Sequence, residues 1–236
     1  MGGVISPFLS NLYLHYALDL WVHQWRNRHA IGAVIVTRYA DDVVLGFQHA
    51  GEARRFLREM HERFAKFALS LHPDKTRLIE FGRYAAQRRQ ERGLGKPETF
   101  DFLGFTHCCH CTRRGDYTVR RQTIKKRMRA SLVAIRAQLR RRRHDAVGMQ
   151  GRWLRQKVRG YFNYFAVPGN LQRLAGYRRE VCRAWRQSLT RRSQRAHMAW
   201  DRFARLVNLY IPQVRQLHPY PSERFRVTNR GKSRMQ

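Results

Sequence analysis

Acidic side chains are scarce in this 236-residue sequence: 16 Asp and Glu stand against 48 Lys and Arg, a formal net charge of +32. Lysine is scarce as well, since 41 of those 48 cations are Arg. The four cysteines lack the spacing of a disulfide framework, which argues against a secreted scaffold and favours a reducing compartment. No apolar run approaches the roughly 20 residues of a membrane span, and the sequence opens on neither a signal nor a transit peptide. We therefore expect a cytoplasmic protein with no membrane partner.

The shortage of acids is concentrated in the second half of the sequence. Residues 1–118 carry 17 basic and 12 acidic side chains, whereas residues 119–236 carry 31 basic and only 4 acidic ones. So basic a surface repels itself unless a polyanion neutralises it. Because Arg matches phosphate geometry and stacks on bases, RNA is a better candidate than a bilayer. A GC-rich genome would also favour Arg over Lys, but that bias leaves the missing acids unexplained.

The first 120 residues predict an α+β arrangement, and an apolar fraction of 43% is sufficient for a core. Ser6 is expected to cap the first helix, with Pro7 in its first turn. Aliphatic runs on both sides of residues 37–42 predict a β-hairpin with two acids at its bend. The remaining patterns predict a helix over 53–68, a turn at 73–74 with a strand to 81, a surface loop over 83–98, and a second hairpin over 100–119.

From about residue 123 the apolar period is helical throughout. It predicts four helices, at about 124–143, 150–165, 170–189 and 197–209. The tail from Pro212 has no such period. We therefore expect an α+β domain over residues 1–120, an all-helical and very basic domain over 121–211, and a basic irregular tail over 212–236.

The adjacent carboxylates of Asp41 and Asp42 are the feature best suited to catalysis. Two acids at a bend repel each other and are stable there only beside cations or hydrogen-bond donors. Their oxygens suit Mg²⁺, and in nucleotidyl transfer two such ions activate the attacking hydroxyl and stabilise the leaving oxygen. An Asp-Asp pair is also a common solvated turn. The flanking aliphatic strands favour a rigid metal-binding bend.

Five segments, in this order, resemble the group II intron-encoded reverse transcriptases, also called maturases. They are residues 2–11 (GGVISPFLSN), 39–42 (YADD), 69–76 (LSLHPDKT), 100–105 (FDFLGF) and 159–170 (RGYFNYFAVPGN). The last is similar to the maturase-specific thumb, or X domain, and separates this family from retroviral and retron-like polymerases. The resemblance implies an α+β fold: a partial right-hand polymerase palm of antiparallel hairpins with packed helices, followed by an all-helical basic thumb.

The resemblance also implies roles for individual residues. Asp41 and Asp42 would bind the catalytic Mg²⁺, and Lys75 would neutralise or protonate the pyrophosphate, although an ordinary strand-end lysine fits the same position. Gly104 would let a backbone approach closely in a primer grip, whereas Phe102 and Phe105 are better explained as core. The residues implied to contact nucleotide, template or primer are Gly2, Gly3, Ser6, Pro7, Tyr39 and Gly104. Candidate RNA-binding residues of the helical half are Lys125, Lys126, Arg127, Arg140, Arg141, Arg142, Arg143 and Arg159.

The implied partners are a group II intron RNA, an RNA template, a DNA primer and dNTPs, in a bacterial cytoplasmic ribonucleoprotein. The family places a further metal-binding Asp and its fingers before the segment that residues 2–11 resemble. The chain is therefore expected to be the C-terminal part of a longer enzyme and not to extend primers alone, unless a separate chain supplies the fingers. The alternatives are a non-catalytic RNA-binding splicing factor and a remnant of a mobile element.

Residues 107–111 (HCCHC) invite a zinc interpretation. On a strand these side chains alternate between faces, and a zinc site usually needs two ligand pairs separated by a loop. No second pair exists in the sequence. We therefore favour thiols that pack as small hydrophobic groups over a metal site.

Overall fold

The computed structural model describes residues 5–112, 114–192 and 198–221. The chain divides into two compact units, an N-terminal unit that ends at Glu80 and a C-terminal unit that begins at Phe81. The predicted α+β first half and helical second half are confirmed. The second sheet belongs to the same compact unit as the basic helices. Across the residues that the structure describes, none of the helices has the length and apolar character needed to span a bilayer.

The N-terminal unit consists of a long interrupted helix, a β-hairpin and a second helix. In chain order these elements are α1 (Ser6–Leu14), a π-helical stretch (His15–Asp19), α2 (Leu20–His29), β1 (Val34–Tyr39), β2 (Asp42–Phe47) and α3 (Ala50–Ala65). The core forms where α2, α3 and one hairpin face meet. There Trp25 packs edge-on against Phe56, with ring centroids 4.9 Å apart, and Val34 and Met60 are also buried. The predicted hairpin and amphipathic helix are confirmed.

The start of α1 differs from the prediction for Ser6. Ile5 is the N-cap and already has helical backbone angles, so Ser6 is the first helical residue, and no side chain among the described residues caps the helix. The prediction that Pro7 lies in the first turn is confirmed.

Two predictions between residues 76 and 98 are wrong. The expected strand to residue 81 joins neither sheet, because its end packs through a side chain and not through backbone pairing: Phe81 lies edge-on against Phe100, 5.1 Å away. The expected loop contains α4 (Ala85–Glu91). The Ala, Gln, Arg and Glu residues of this segment all have high helix propensity, which outweighs the polar composition that suggested a loop.

Among the residues that the structure describes, the C-terminal unit combines a three-stranded antiparallel sheet with five helices, α4 to α8. Its elements after α4 are β3 (Phe100–Phe102), β4 (Phe105–Cys111), β5 (Tyr117–Thr123), α5 (Lys125–Arg141), α6 (Val147–Phe165), α7 (Leu171–Thr190) and α8 (Trp200–Tyr210). The four predicted helices are confirmed, and β4 pairs with both neighbouring strands. The apolar faces of α5, α6 and α7 meet around the fully buried Trp185, Leu154 and Leu174.

Asn170 joins the sheet to the helices through a buried polar network. The Thr123 backbone N–H donates to its Oδ1 (3.0 Å), and its Nδ2 donates to Thr123 Oγ1 (2.7 Å) and to the Phe165 carbonyl (2.8 Å). Asn170 is completely buried and Thr123 nearly so. Since an unpaired buried polar group costs about 1–3 kcal/mol, all three bonds must be retained together.

We expect Asn170→Ala to lower the unfolding free energy of the C-terminal unit by about 2–3 kcal/mol, because the substitution leaves the Thr123 and Phe165 groups buried and unpaired. Urea denaturation followed by tryptophan fluorescence measures this change. The matched control is Asn163→Ala, whose side chain is exposed on α6 and should change stability by less than about 0.5 kcal/mol. Equal effects of the two substitutions would show that the network is not a stabilising feature.

Candidate active site and candidate nucleic-acid interface

The two acids lie where the sequence predicts them, at the tip of the first hairpin. The β1–β2 register runs from Val34 opposite Phe47 to Tyr39 opposite Asp42, which leaves Ala40 and Asp41 as a two-residue turn. Residues opposite one another on antiparallel strands share a face, so Tyr39 and Asp42 lie side by side. Tyr39 is 65% exposed, and both acids are exposed. An aromatic ring and two carboxylates are therefore presented together to solvent.

Asp41 and Asp42 have no cationic partner within the described ranges, although the chain contains 48 Lys and Arg. Other carboxylates of the same unit are paired. Asp19 binds Arg38 at 2.7 Å, and Glu59 binds Arg55 at 2.6 Å. Two adjacent unpaired carboxylates repel each other and favour an added cation. This local charge arrangement is what a divalent-metal site requires.

Arg38 connects the acidic turn to the preceding helix. Its Nε and Nη2 donate to the two carboxylate oxygens of Asp19 (2.8 and 2.7 Å), and its Nη1 donates to Asn11 Oδ1 (2.9 Å) and to the Ala40 carbonyl (3.0 Å). Ala40 has φ +54°, a left-handed conformation that costs a non-glycine residue about 1–2 kcal/mol. The bidentate ion pair and the bond to Ala40 hold this turn in place.

The sequence analysis missed Asn11, Asp19 and Arg38. Asn11 and Asp19 are eight residues apart, which in a regular α-helix places them about 80° apart around the axis. The π-helical stretch His15–Asp19 between them has wider hydrogen-bonded turns, and this reduces the offset. As a result both side chains reach the same guanidinium. A sequence feature that could have indicated these contacts is Arg38, the residue directly before the Tyr-Ala-Asp-Asp segment.

Several other predicted residues of the N-terminal unit are exposed but not joined to the acids. Ser6 and Pro7 lie in the first turn of α1, and Lys75 lies in the turn whose backbone N–H groups donate to the His72 carbonyl. Neither a hydrogen bond nor an ion pair links Lys75 to the acidic turn within the described part of the chain. Gly2 and Gly3 lie outside the described residues.

A metal at the acidic turn would have two carboxylates from this unit. Within residues 5–112, 114–192 and 198–221, no three His, Cys, Asp or Glu side chains lie close enough together to hold a metal ion. Mg²⁺ is commonly bound by one or two carboxylates while it retains water ligands, so Asp41 and Asp42 fit one such ion. A two-metal arrangement needs further oxygen donors.

Two of the three cysteines of β4, Cys108 and Cys109, are half-buried and contact neighbouring groups, whereas Cys111 is exposed. The Gly82 backbone N–H donates to Cys109 Sγ (3.4 Å), and the Tyr117 hydroxyl lies 3.8 Å from the same sulfur. Cys108 Sγ contacts the Arg120 carbonyl at 3.5 Å. Burial raises the pKa of the Cys108 thiol, which favours the protonated form that binds metals poorly.

Gly104 occupies a tight turn between β3 and β4, with φ +81° after Leu103 at +48°. A Cβ at Gly104 would lie 3.0 Å from Arg127 Nη1 and 3.5 Å from the Phe165 ring, so the close approach here is to the protein itself. Phe105 is buried in the core, where it packs edge-on against Phe165 at 5.2 Å. The expected primer contact of Gly104 stays a prediction.

The predicted RNA-binding residues of the helical unit form two groups. Six are exposed on α5 and α6: Lys125, Lys126, Arg127, Arg140, Arg141 and Arg159. The other two, Arg142 and Arg143, are half-buried. The Arg142 guanidinium lies 5.4 Å from the centroid of the Trp153 ring, and both arginines accept hydrogen bonds at their carbonyls from Gln150. Arg142 and Arg143 thus help to pack the α5–α6 connection.

The aromatic residues near these cations are mostly core. Trp185 is fully buried, and Tyr161 stacks on Tyr177 with ring centroids 3.8 Å apart. Tyr164 is half-exposed, and its hydroxyl donates to the Leu103 carbonyl at 2.8 Å. Within residues 159–170, Arg159 and Tyr164 are exposed, whereas Phe162, Phe165 and Asn170 are buried. Much of that segment therefore stabilises the fold.

We expect the N-terminal unit to lose stability as the pH falls below about 4, through protonation of Asp19. Burial alone would raise the pKa of this carboxyl, but hydrogen bonds from Arg38 and His15 outweigh it and hold the pKa below the ordinary 3.8. A lowered folded-state pKa contributes stability above the unfolded-state pKa, and that stability disappears as pH falls through the folded value. Asp19→Asn should therefore reduce the stability measured at pH 7 and flatten its acid dependence.

Urea denaturation between about pH 3 and pH 7 measures both effects. Glu59, whose pKa is also lowered, keeps its own acid dependence in either variant. Asp74→Asn, at an exposed turn, is the matched control and should follow the unsubstituted protein. An Asp19→Asn profile that parallels this control would contradict the assigned role of the Arg38–Asp19 pair.

The comparison with known families bears on this unit most directly. The family model described as "Reverse transcriptase (RNA-dependent DNA polymerase)" matches residues 1–107. The match includes the acidic turn and Arg38 and ends within β4. It covers 107 of the 236 residues and does not reach helices α5–α8. No curated protein matches the chain.

Proposed function

We propose that the chain is part of a group II intron-encoded reverse transcriptase and maturase, an RNA-directed DNA polymerase that also binds its intron RNA. The observation that carries the proposal is the exposed, unpaired Asp41-Asp42 turn inside a segment that matches the reverse transcriptase family model. In this proposal residues 1–120 serve as a partial palm, residues 121–211 as the thumb, and residues 212–236 as a basic tail.

Asp41 and Asp42 would hold Mg²⁺, with Asp41 the stronger candidate for a direct ligand. Bound Mg²⁺ supplies activation of a primer hydroxyl and charge stabilisation of the departing pyrophosphate. Arg38 keeps the two carboxylates in position through Ala40, which limits their reorganisation when a cation binds. Tyr39, exposed beside Asp42, offers an apolar surface to the primer end or the incoming dNTP. Lys75 provides a free ammonium group for phosphate.

Arg159 and Tyr164 are the exposed cation and the exposed aromatic residue of the segment that resembles the maturase thumb. Together with Lys125, Lys126 and Arg127 at the start of α5, they offer cations for RNA phosphates and an aromatic ring for an unpaired base. The excess of 31 basic over 4 acidic residues after residue 118 supports a polyanionic partner. We propose that this partner is the intron RNA and the template–primer duplex.

A second candidate function is a non-catalytic RNA-binding splicing factor. It is favoured by the acidic turn, where Asp41 and Asp42 are the two carboxylates that meet within the described residues, whereas a two-metal arrangement needs further oxygen donors. A remnant of a mobile element without any role is the third possibility. Primer extension by the chain would establish the first function over the second, and splicing of an intron RNA distinguishes the second from the third.

We expect this chain alone to show no primer extension with an RNA template, a DNA primer, dNTPs and Mg²⁺, because two carboxylates do not fix two metal ions in line with the reacting phosphate. Incorporation of labelled nucleotide measures the activity, with Asp41→Ala as the matched variant. Incorporation by the unsubstituted chain that Asp41→Ala abolishes would contradict this expectation and establish a complete active site.

Specific intron binding is expected to persist in the same Asp41→Ala variant, because the acidic turn is separate in sequence from the basic helices. Filter binding to a group II intron RNA, with an excess of transfer RNA as competitor, measures it. We expect at least about a tenfold preference for the intron RNA. Equal binding of both RNAs would argue against the maturase assignment and leave a general RNA-binding protein.

A further inference from the structure

An open groove of about 1090 Å³ runs between α7 and α8 in the C-terminal unit. Helix α7 lines one wall and α8 the other, with Trp200, Phe203 and Val207 among the α8 residues. Five arginines border the groove: Arg136, Arg178, Arg179, Arg183 and Arg186. A single acid, Glu180, lies among the lining residues. The groove is slightly larger than the ~300–1,000 Å³ of typical small-molecule sites, and it is strongly basic.

The arginines of the groove are only partly neutralised. The Glu180 carboxylate accepts hydrogen bonds from both Arg136 (3.2 Å) and Arg183 (2.7 Å). The single acid of the groove is therefore already shared between two arginines. Arg179 is exposed and forms neither a hydrogen bond nor an ion pair with any residue of the described ranges. Arg186 Nε is buried and has no partner in the part of the chain that is described. The exposed Arg179 guanidinium therefore has donors available for an anion, whereas Arg186 donates from Nη2 to the Met198 carbonyl (3.5 Å) and lies against the ring of Trp200.

Trp200 supplies a flat aromatic surface at the edge of the groove. It is 66% exposed, which is unusual for so large an apolar ring. The Arg186 guanidinium carbon lies 3.6 Å from the centroid of the indole ring and covers one face. A base could stack on the solvent-exposed surface of the indole, an interaction worth about 1–3 kcal/mol per base.

We infer that the α7–α8 groove binds single-stranded RNA, with a base stacked on Trp200 and neighbouring phosphates on the exposed Arg179 and Arg183. This inference rests on the proposed RNA-binding function and adds a site that includes none of the cations predicted from the sequence. Exposed guanidinium groups beside an exposed indole match the alternation of phosphate and base along a single strand. An acidic peptide would use the arginines but has no need of the ring.

Full-length chains with matched charge changes test the site. Arg179→Gln with Arg183→Gln removes two exposed cations from the groove, and Arg202→Gln with Arg205→Gln removes two exposed cations of α8 that do not line it. Fluorescence anisotropy with a labelled short single-stranded RNA, at low salt, measures binding. We expect the groove variant to weaken binding about tenfold and the control about two- to threefold, because both lose the same long-range attraction.

Trp200→Ala tests the stacking contact separately. We expect it to weaken binding of single-stranded RNA by about fivefold or more and to change binding of a duplex of equal length by less than twofold, because paired bases do not expose a face to the ring. Single-stranded RNA should also quench tryptophan fluorescence in the unsubstituted chain and quench it less in Trp200→Ala. Thermal melts confirm that each variant is folded.

The outcomes separate this inference from the proposed function. No RNA binding by the unsubstituted chain would overturn both. Strong RNA binding that the groove variant, its control and Trp200→Ala all retain to the same degree would overturn the groove alone. Loss of binding in the arginine variant, with Trp200→Ala unchanged on single strands and duplexes, would also overturn it, because it identifies a general anion site without base stacking.

Discussion

Electrostatic repulsion within the helical half is the constraint on which the rest of the structure depends. The apolar faces of α5, α6 and α7 close around Trp185, Leu154 and Leu174, so the fold has an ordinary hydrophobic core. Its cations are mostly on the surface, where four acids after residue 118 cannot neutralise 31 bases. Burial of the core must outweigh this repulsion, and a bound polyanion would relieve it. The same feature that limits stability therefore favours a polyanionic partner.

In the acidic turn of the N-terminal unit, the charge that lacks a partner among the described residues is negative. Asp19 and Glu59 are each held by an arginine, whereas Asp41 and Asp42 are left without a cation among the described residues. Arg38 explains how such a turn is maintained, because it binds the carboxylate of Asp19 and the carbonyl of Ala40 at once. The Arg38–Asp19 ion pair maintains the geometry of the turn, and the negative charges of Asp41 and Asp42 remain available for a cation. Such a pair suits one divalent cation, while a two-metal site needs further oxygen donors.

Helices and strands that are encoded by the pattern of apolar residues along a short segment could be predicted from the sequence. The hairpin around Asp41, the helix α3 and the four basic helices all follow from apolar period, and their positions are confirmed within a few residues. The roles of Asn11, Asp19 and Arg38 could not be predicted, because they depend on contacts between separate elements and on a π-helical stretch. Residues 159–170 show the converse difficulty. Aromatic residues in helical register suit both a core and an interface, and only burial separates Phe162 from Tyr164.

The salt dependence of RNA affinity tests the central claim most directly, namely that phosphates neutralise the arginine-rich helical half. If several cations bind phosphates, the logarithm of the association constant falls linearly with the logarithm of salt concentration, by about 0.7 per contact on a single strand. The account predicts a loss of about a hundredfold or more between roughly 50 and 200 mM salt. An affinity that is constant over this range would contradict it.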